Sequence, residues 1–202
     1  MSSQPSPRPP IHPNVITAGR LPLAPIAVAC MVQGTTTGYA AAFALSILLE
    51  ITDIADGQIA RRYGVVTRFG KLFDPFSDAF SRFIMFLGFH ALGVAELWMI
   101  IVIFARDSSI SFFRSVAVTV GGEVAARTSG KAKAVVQGLG TQLILLCYVL
   151  QAAWPDIGVP AWLPSATMWV ITLVTLGSFV DYFIGYLPIL REAWNDDLDG
   201  AT

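Results

Sequence analysis

Charged residues are scarce in this chain of 202 residues, and together Asp, Glu, Lys and Arg make up 13% of it. Soluble domains contain about twice that share, roughly 25%. Apolar residues make up 54%, and they occur in blocks long enough to cross a bilayer as helices, which takes about 20 residues. A soluble helical protein needs polar helix faces, and these blocks have almost none. The composition therefore excludes an ordinary soluble domain and predicts a single all-α, polytopic membrane domain over residues 1–202.

Cysteine and histidine are also rare, with two of each. Cys30 and Cys147 lie in apolar blocks, where a thiol behaves as a small hydrophobic group, and no Cys/His cluster has the spacing of a zinc site. The net charge of −1 gives no reason to expect a nucleic-acid partner. Residues 1–13 are rich in Pro and Ser and lack the apolar run of a signal peptide. We expect them to form a flexible tail.

Six apolar blocks predict six transmembrane helices. In chain order they cover residues 15–32, 39–60, 73–94, 97–120, 135–154 and 162–190. The first block contains Arg20, Pro22 and Pro25, so we expect this N-terminal segment to begin along the membrane interface. The polar, acidic residues 195–202 are expected to be frayed.

Basic residues lie on alternate connections between these blocks. Residues 61–71 and 127–133 contain seven Lys and Arg residues: Arg61, Arg62, Arg68, Lys71, Arg127, Lys131 and Lys133. Residues 33–38, 95–96 and 155–160 contain none. By the positive-inside rule, the basic connections and both termini face the cytosol. Three tryptophans then lie at the opposite interface, as in an aromatic belt: Trp98, Trp154 and Trp162.

Four aspartates stand near the predicted cytosolic ends of the second and third blocks: Asp53, Asp56, Asp74 and Asp78. A carboxylate inside a membrane costs about 2.5–3.5 kcal/mol unless it is paired or faces a wet cavity. Spacings of three and four residues place each pair on one helix face. We expect the connecting loop to fold the two helices back as direct neighbours, which can bring all four carboxylates around one point. Divalent cations would relieve their repulsion, and oxygen ligands favour magnesium, manganese or calcium. Two bridged ions would suit phosphoryl transfer.

Small and basic residues surround these carboxylates. Gly57 and Ala60 leave room beside the acidic face, Gly70 does the same on the third block, and Arg61 offers a forked cation for phosphate. An ion-coupled transporter is an alternative of another class, because intramembrane carboxylates also mark ion pathways. That alternative leaves the glycine, alanine and arginine positions unexplained.

Written out, residues 53–78 contain D-x2-D-G-x2-A-R-x8-G-x3-D-x3-D, which resembles the signature of the CDP-alcohol phosphotransferase family. The resemblance implies six transmembrane helices, a homodimer, a cytosol-facing polar cavity and cleavage of a CDP-linked substrate with release of CMP. It also implies two divalent cations, Mg²⁺ or Mn²⁺, with Asp53, Asp56 and Asp74 as metal ligands. Asp78 is implied both as a ligand of the second metal and as the base for the attacking hydroxyl. The implied CDP-binding residues are Gly57, Ala60, Arg61, Gly70, Asn14 and Thr67.

Other segments are similar to the branch of the family that makes phosphatidylglycerophosphate. They are Pro13-Asn14-Val-Ile-Thr17-x2-Arg20, Ala105-Arg106-Asp107 with Arg114 eight residues after Arg106, and the run from Gly130 to Gln137 that contains Lys131 and Lys133. This resemblance implies CDP-diacylglycerol as donor and sn-glycerol 3-phosphate as acceptor. It further implies a bacterial cytoplasmic membrane, with membrane lipids around the protein and the active site facing the cytosol.

The basic residues themselves favour an anionic acceptor. Arg106 and Arg114 are just over two helical turns apart, so both can point into one cavity. Lys131 and Lys133 would add cations at its entrance, and we expect all four to bind the acceptor phosphate. An arginine within a membrane needs a phosphate or an aspartate opposite it, so a salt bridge from Arg106 to Asp107 is the alternative. For the two lysines the alternative is contact with anionic lipid head groups.

Two departures from the pattern leave inositol phosphate as the second candidate acceptor. Ala134 replaces the usual threonine of the lysine run, and Arg127-Thr128 stands where small residues are common. Arg82 follows Asp78 by four residues, and we expect a structural ion pair between them.

Overall fold

A computed structural model of the protein describes residues 13–63, 68–119 and 127–200. Six α-helices occupy these ranges: α1 (Pro13–Met31), α2 (Thr36–Tyr63), α3 (Arg68–Ala91), α4 (Leu97–Thr119), α5 (Thr128–Ala153) and α6 (Leu163–Gly200). A short 3-10 helix, Pro155–Ile157, connects α5 to α6. No strand occurs in the ranges described. The all-α prediction is confirmed.

Four of the helices, α1, α2, α5 and α6, are long and apolar enough to cross a membrane. Helices α3 and α4 have 24 and 23 residues, but every stretch of 18 residues within them contains at least three charged residues, so they do not qualify on composition. The prediction of a membrane protein therefore holds, whereas only four of the six expected spans are supported by length and composition.

The six helices pack as a closed ring in the order α1, α2, α5, α6, α4, α3. Helix α1 contacts both α2 and α3, while direct contact between α2 and α3 is minimal in the described ranges. The expectation that α2 and α3 are direct neighbours is therefore wrong. One face of α1 fills the space between them, and its buried residues recur every three or four positions: Thr17, Arg20, Ala24, Ala27 and Met31.

The apolar core fills one half of this ring. It is built from the C-terminal halves of α1, α3 and α5 and the N-terminal halves of α2, α4 and α6, with large buried side chains such as Met31, Phe86, Phe89, Ile100, Leu145 and Ile171. The other half of the ring, towards the N-terminus of α1, contains the predicted aspartates and most of the buried charges. The helices therefore join a packed apolar end to a polar end with cavities.

Three helices, α3, α5 and α6, extend five or more residues beyond the predicted apolar blocks. Helix α3 begins at Arg68 and α5 begins at Thr128, so Lys131 and Lys133 lie on helical turns. Helix α6 continues to Gly200, so residues 195–200 are helical rather than frayed as expected, and residues 201–202 lie outside the described range. Hydropathy marks where the apolar run ends, whereas Lys and Arg at the start of α3 and α5 and Arg191, Glu192 and Ala193 in α6 are good helix formers that let a helix continue into a polar segment.

Candidate active site

Arg20 of α1 joins Asp53 of α2 to Asp78 of α3. Its Nη1 lies 2.8 Å from Asp53 Oδ1, and its Nη2 donates to Asp78 Oδ1 at 3.2 Å. The Arg20 side chain is only 2% exposed. A buried guanidinium is costly unless it is paired, and two carboxylates close together repel each other. The bridge pairs the buried guanidinium and screens the two carboxylates from each other. The structure therefore brings two of the four predicted aspartates into contact with one buried cation.

The same face of α1 also holds Asp74. Thr17 Oγ1 donates to Asp74 Oδ1 at 3.1 Å. The hydroxyl of Ser77, which is buried, donates to the backbone oxygen of Thr17 at 3.0 Å. Thr17 and Arg20 are three residues apart on one helix face. Helix α1 therefore positions both carboxylates of α3 as well as Asp53.

Several predicted site residues lie outside the part of the structure that can be described. Thr67 falls wholly outside it, and so do the side chains of Asp56, Ala60, Arg61 and Arg114. Three residues predicted to bind cytidine diphosphate can be placed on their helices: Asn14 in the first turn of α1, Gly57 in the last third of α2, and a buried Gly70 at the start of α3. Their roles in binding stay predictions.

Divalent cations fit the donor chemistry of this cluster. Asp53, Asp74 and Asp78 offer the carboxylate oxygens that Mg²⁺ and Mn²⁺ accept. The side chains of Asp53 and Asp78 are 37% and 29% exposed, so they can be reached from the adjoining cavities. Within the side chains that the structure describes, no three His, Cys, Asp or Glu residues converge on one point. The Asp56 side chain, which would add a fourth carboxylate, is not among them.

A second polar cluster joins α4, α5 and α6 and is centred on Asp107. Asp107 Oδ1 accepts hydrogen bonds from Arg106 Nη1 at 2.9 Å and from Lys133 Nζ at 2.8 Å. Lys133 Nζ also lies 2.8 Å from Asp107 Oδ2. Arg106 Nη2 donates to Ser178 Oγ at 2.9 Å, and the guanidinium carbon lies 5.2 Å from the ring centre of Tyr182. The salt bridge between Arg106 and Asp107, which the sequence left open as an alternative, is therefore present.

A cavity of about 300 Å³ lies between the two clusters. Six charged side chains line it: Asp78, Arg82, Arg106, Asp107, Lys131 and Lys133. Four are cationic and two are acidic, so the lining carries two positive charges in excess. This is the charge needed to bind a phosphate dianion. The cavity thus brings Asp78 together with three of the four cations predicted for the acceptor phosphate, and the fourth is Arg114.

Arg82 joins Asp78 of the first cluster to α5 and, through a glutamine, to α6. Its Nη2 lies 3.0 Å from Asp78 Oδ1, which is the ion pair that the four-residue spacing predicts. Its Nη1 donates to Gln137 Oε1 at 3.3 Å, and Gln137 Nε2 donates to Thr175 Oγ1 at 3.0 Å. Gln137 is only 1% exposed. This residue is not among the site residues predicted from the sequence. The signal available was a glutamine within an apolar helix, because a buried amide must find partners.

A second cavity, of about 450 Å³, opens between α2 and α5. Glu50, Asp53 and Arg82 contribute polar groups to it. Its walls are apolar and largely exposed on the outside of the ring: Ile47, Ile51, Ile54, Val135 and Leu139. The groove therefore leads from the apolar outer surface to the carboxylate of Asp53.

Comparison with known proteins gives a consistent family assignment. The family model for CDP-alcohol phosphatidyltransferase matches residues 10–177. A CDP-diacylglycerol--glycerol-3-phosphate 3-phosphatidyltransferase of Bacillus subtilis is 29% identical over 183 residues, covering 85% of this chain and 92% of the relative. A protein of the same name from Treponema pallidum is 30% identical over 152 residues, covering 73% of this chain and 70% of the relative.

A third relative is described as a probable phosphatidylglycerophosphate synthase of Mycobacterium tuberculosis. It is 32% identical over 136 residues, covering 66% of this chain and 65% of the relative. The region matched by the family model, residues 10–177, includes the complete aspartate signature as well as Arg106, Asp107 and Lys133. The chain belongs to the CDP-alcohol phosphatidyltransferase family.

Proposed function

We propose that this protein transfers the phosphatidyl group of CDP-diacylglycerol to sn-glycerol 3-phosphate, giving phosphatidylglycerophosphate and CMP. The observation that carries this proposal is the cavity in which Asp78 shares one lining with Arg82, Arg106 and two lysines. An acceptor with both a hydroxyl and a phosphate dianion fits such a lining, because the carboxylate can interact with the hydroxyl while the cations bind the phosphate. The relatives described above are named for this donor and this acceptor.

The donor enters sideways from the inner leaflet through the groove between α2 and α5. Its acyl chains lie against exposed apolar side chains such as Ile51, Ile54 and Leu139, and its pyrophosphate lies at the cytosolic ends of α2 and α3. Asp53, Asp56, Asp74 and Asp78 would hold two divalent cations, Mg²⁺ or Mn²⁺. Such ions, when bound, would neutralise charge on the pyrophosphate. Gly57, Ala60, Arg61 and Gly70 bind the cytidine diphosphate portion, together with Asn14 and Thr67.

The acceptor enters from the cytosol, and its phosphate binds to Arg106, Arg114, Lys131 and Lys133. Its 1-hydroxyl points towards Asp78. Arg20 and Arg82 both contact Oδ1 of this residue, so we assign proton removal to Oδ2. The hydroxyl oxygen attacks the lipid-side phosphorus, the bond from that phosphorus to the CMP oxygen breaks, and CMP leaves. Positioning and charge neutralisation supply most of the rate enhancement.

The test is a panel of acceptors presented to the purified protein with CDP-diacylglycerol and magnesium. We expect CMP release with sn-glycerol 3-phosphate and none above background with serine or choline. CMP release with inositol phosphate alone would refute the acceptor. No CMP release with any acceptor would refute the enzymatic proposal itself.

We also propose that all six helices cross a bacterial cytoplasmic membrane, with both termini and the active site facing the cytosol. Two features support this arrangement. Helices α3 and α4 close the ring between α1 and α6, and the exposed Trp154 and Trp162 lie at the end of the bundle opposite the aspartates. A homodimer, which the family resemblance implies, completes the proposal, and native mass spectrometry in detergent would test it.

A further inference from the structure

We infer that Asp107 is a positioning residue that holds Arg106 and Lys133 in the arrangement that binds the acceptor phosphate, an inference that rests on the proposed function. Asp107 uses both of its carboxylate oxygens for this. One accepts from Arg106 and Lys133, and the other accepts from Lys133. Residues of two helices, α4 and α5, are thereby fixed to one carboxylate.

Because Arg106 and Lys133 are buried, their contact with Asp107 determines where their charged groups lie. Arg106 is 7% exposed and Lys133 is 3% exposed, so neither cation is held mainly by water. Two adjacent buried cations repel each other, and the carboxylate between them removes most of that repulsion. Without it, one of the two side chains would have to move towards solvent.

Arg106 is held from three directions and still retains a donor. Asp107 accepts a hydrogen bond from Nη1, Ser178 of α6 accepts one from Nη2, and the guanidinium carbon lies over the ring of Tyr182. Its Nε is buried and has no hydrogen-bond partner in the part of the structure that is described. A buried donor of this kind calls for a ligand or a water molecule. Lys133 directs its ammonium group at both oxygens of Asp107 and has three N–H donors in all.

This anchoring explains how the cavity can select a phosphate. Asp107 lowers the positive charge of the lining to an excess of two, which equals the charge of a phosphate dianion. It also keeps Arg106 and Lys133 at the wall, so that the space between them and Asp78 stays open for the acceptor. Asp107 therefore acts on the acceptor through these two cations rather than by touching it.

The experiment compares Asp107→Asn with wild type in two measurements, and Asp156→Asn serves as the matched control. Asp156 lies in the exposed 3-10 helix at the other end of the bundle. The first measurement is the KM for each substrate. We expect the KM for glycerol 3-phosphate to rise about tenfold or more in Asp107→Asn, as for the loss of one charge-assisted contact. The KM for CDP-diacylglycerol should stay within about twofold, and the control should leave both unchanged.

The second measurement needs no turnover. We expect inorganic phosphate or glycerol 3-phosphate to raise the Tm of wild type and of Asp156→Asn in detergent, and to leave the Tm of Asp107→Asn unchanged. Should Asp107→Asn fail to fold, Ser178→Ala removes one of the contacts of Arg106 and should also raise the glycerol 3-phosphate KM selectively. Restoration of the wild-type KM by Asp107→Glu, which keeps the charge, would further support positioning.

Equal changes in both KM values, or an unchanged phosphate-dependent Tm shift in Asp107→Asn, would overturn the inference. Failure of the proposed function looks different. If wild type releases no CMP with glycerol 3-phosphate, but phosphate still raises its Tm and Asp107 is required for that shift, the anchored anion site stands and the acceptor assignment falls.

Discussion

Arg20 illustrates how a single side chain can organise an acidic site in a membrane helix. It lies on α1, which carries none of the signature aspartates, yet it contacts one carboxylate on α2 and one on α3. Its planar group can reach both at once because two separate nitrogens point in different directions. A lysine has one nitrogen and cannot reproduce this geometry.

We therefore predict different outcomes for two substitutions of Arg20. Arg20→Met leaves two partly buried carboxylates without their shared cation, and breaking such a pair costs about 3–5 kcal/mol, so both the Tm and CMP release should fall strongly. Arg20→Lys keeps the charge and should fold, with CMP release reduced about 10- to 100-fold through lost positioning. Arg191→Met, at an exposed position of α6, is the control. Normal CMP release by Arg20→Met would contradict this role.

Substitution of Asp78 tests the base assignment. Asp78→Asn keeps an oxygen that can accept from Arg20 and Arg82, so the fold and CDP-diacylglycerol binding should be largely retained. Loss of a general base typically lowers the rate by about 10²–10⁴-fold. We expect a fall of that size in CMP release, measured beside equilibrium binding of the CDP-lipid and with Asp156→Asn as control. Turnover near the wild-type rate would rule out Asp78 as the base.

At the residue scale, the sequence identifies the charged residues of the site better than it identifies their ion-pair partners. The aspartates could be found from spacing, and the Arg82–Asp78 and Arg106–Asp107 pairs from proximity along the chain. Lys133 and Asp107 are 26 positions apart and meet only because α5 and α4 both pack against α6. Spacing along one helix contains no information about such a contact.

Helix α1 sets the relative positions of α2 and α3. Sequence reasoning predicted six helices correctly because apolar runs of this length have few other solutions. It did not predict that α1 lies between the two acidic helices, because packing order depends on which small side chains allow close approach. Ala24 and Ala27 on the buried face of α1 allow the neighbouring helices to approach closely. The connection from α1 to α2 fixes the direction of α1.

Gly38 tests the importance of that connection. It lies in the first turn of α2, where an added Cβ would overlap the backbone oxygen of Cys30, an atom that cannot move aside easily. Gly38→Ala should therefore separate α1 from α2, lower the free energy of unfolding by about 1–3 kcal/mol and reduce CMP release, since Arg20 would shift from Asp53. Thermal unfolding and CMP release in detergent measure both effects.

The matched control for this change is Gly19→Ala on α1, where an added Cβ meets no atom within 4 Å. Alanine favours a helix over glycine by about 1 kcal/mol, so this variant should be as stable as wild type or slightly more so. If Gly38→Ala were equally stable and active, the close approach at this turn would not determine the position of Arg20.

Across the whole molecule, the packed apolar half and the polar half of the ring have different tasks. The apolar half holds the six helices together through packed apolar side chains. The polar half holds buried ion pairs and two cavities that open in different directions, one to the apolar outer surface and one towards Lys131. This division suits an enzyme whose donor is a membrane lipid and whose acceptor is a water-soluble phosphate.

Removal of divalent cations tests the proposed cofactors on the complete protein. Chelation should abolish CMP release, because the carboxylates of α2 and α3 would no longer have ions with which to hold the pyrophosphate. Added magnesium or manganese should restore it, while an equal concentration of sodium chloride should not. Activity that survives exhaustive chelation would contradict a metal-dependent site.

The number of membrane crossings depends on the hairpin formed by α3 and α4. Helix α3 ends at Ala91, Gly93 follows it with a positive φ of 74°, and α4 begins at Leu97. Such a tight reversal means that both helices cross the membrane or neither does. If both cross, the exposed Glu96 lies outside the cell. If neither crosses, Glu96 lies in the cytosol. In both arrangements the proposed cytosolic N-terminus would place Asp156 outside the cell and Arg191 inside it.

Single cysteines in a background with Cys30→Ala and Cys147→Ala distinguish these arrangements in intact cells. We expect a membrane-impermeant maleimide to label Glu96→Cys and Asp156→Cys without permeabilisation, and Arg191→Cys only after it. Labelling of Asp156→Cys but not Glu96→Cys in intact cells would mean that α3 and α4 do not span. The physical reason to expect six spans is the pairing of the charges on these two helices. Asp78, Arg82, Arg106 and Asp107 all find partners inside the ring, so the charge that makes α3 and α4 too polar by composition is turned away from lipid.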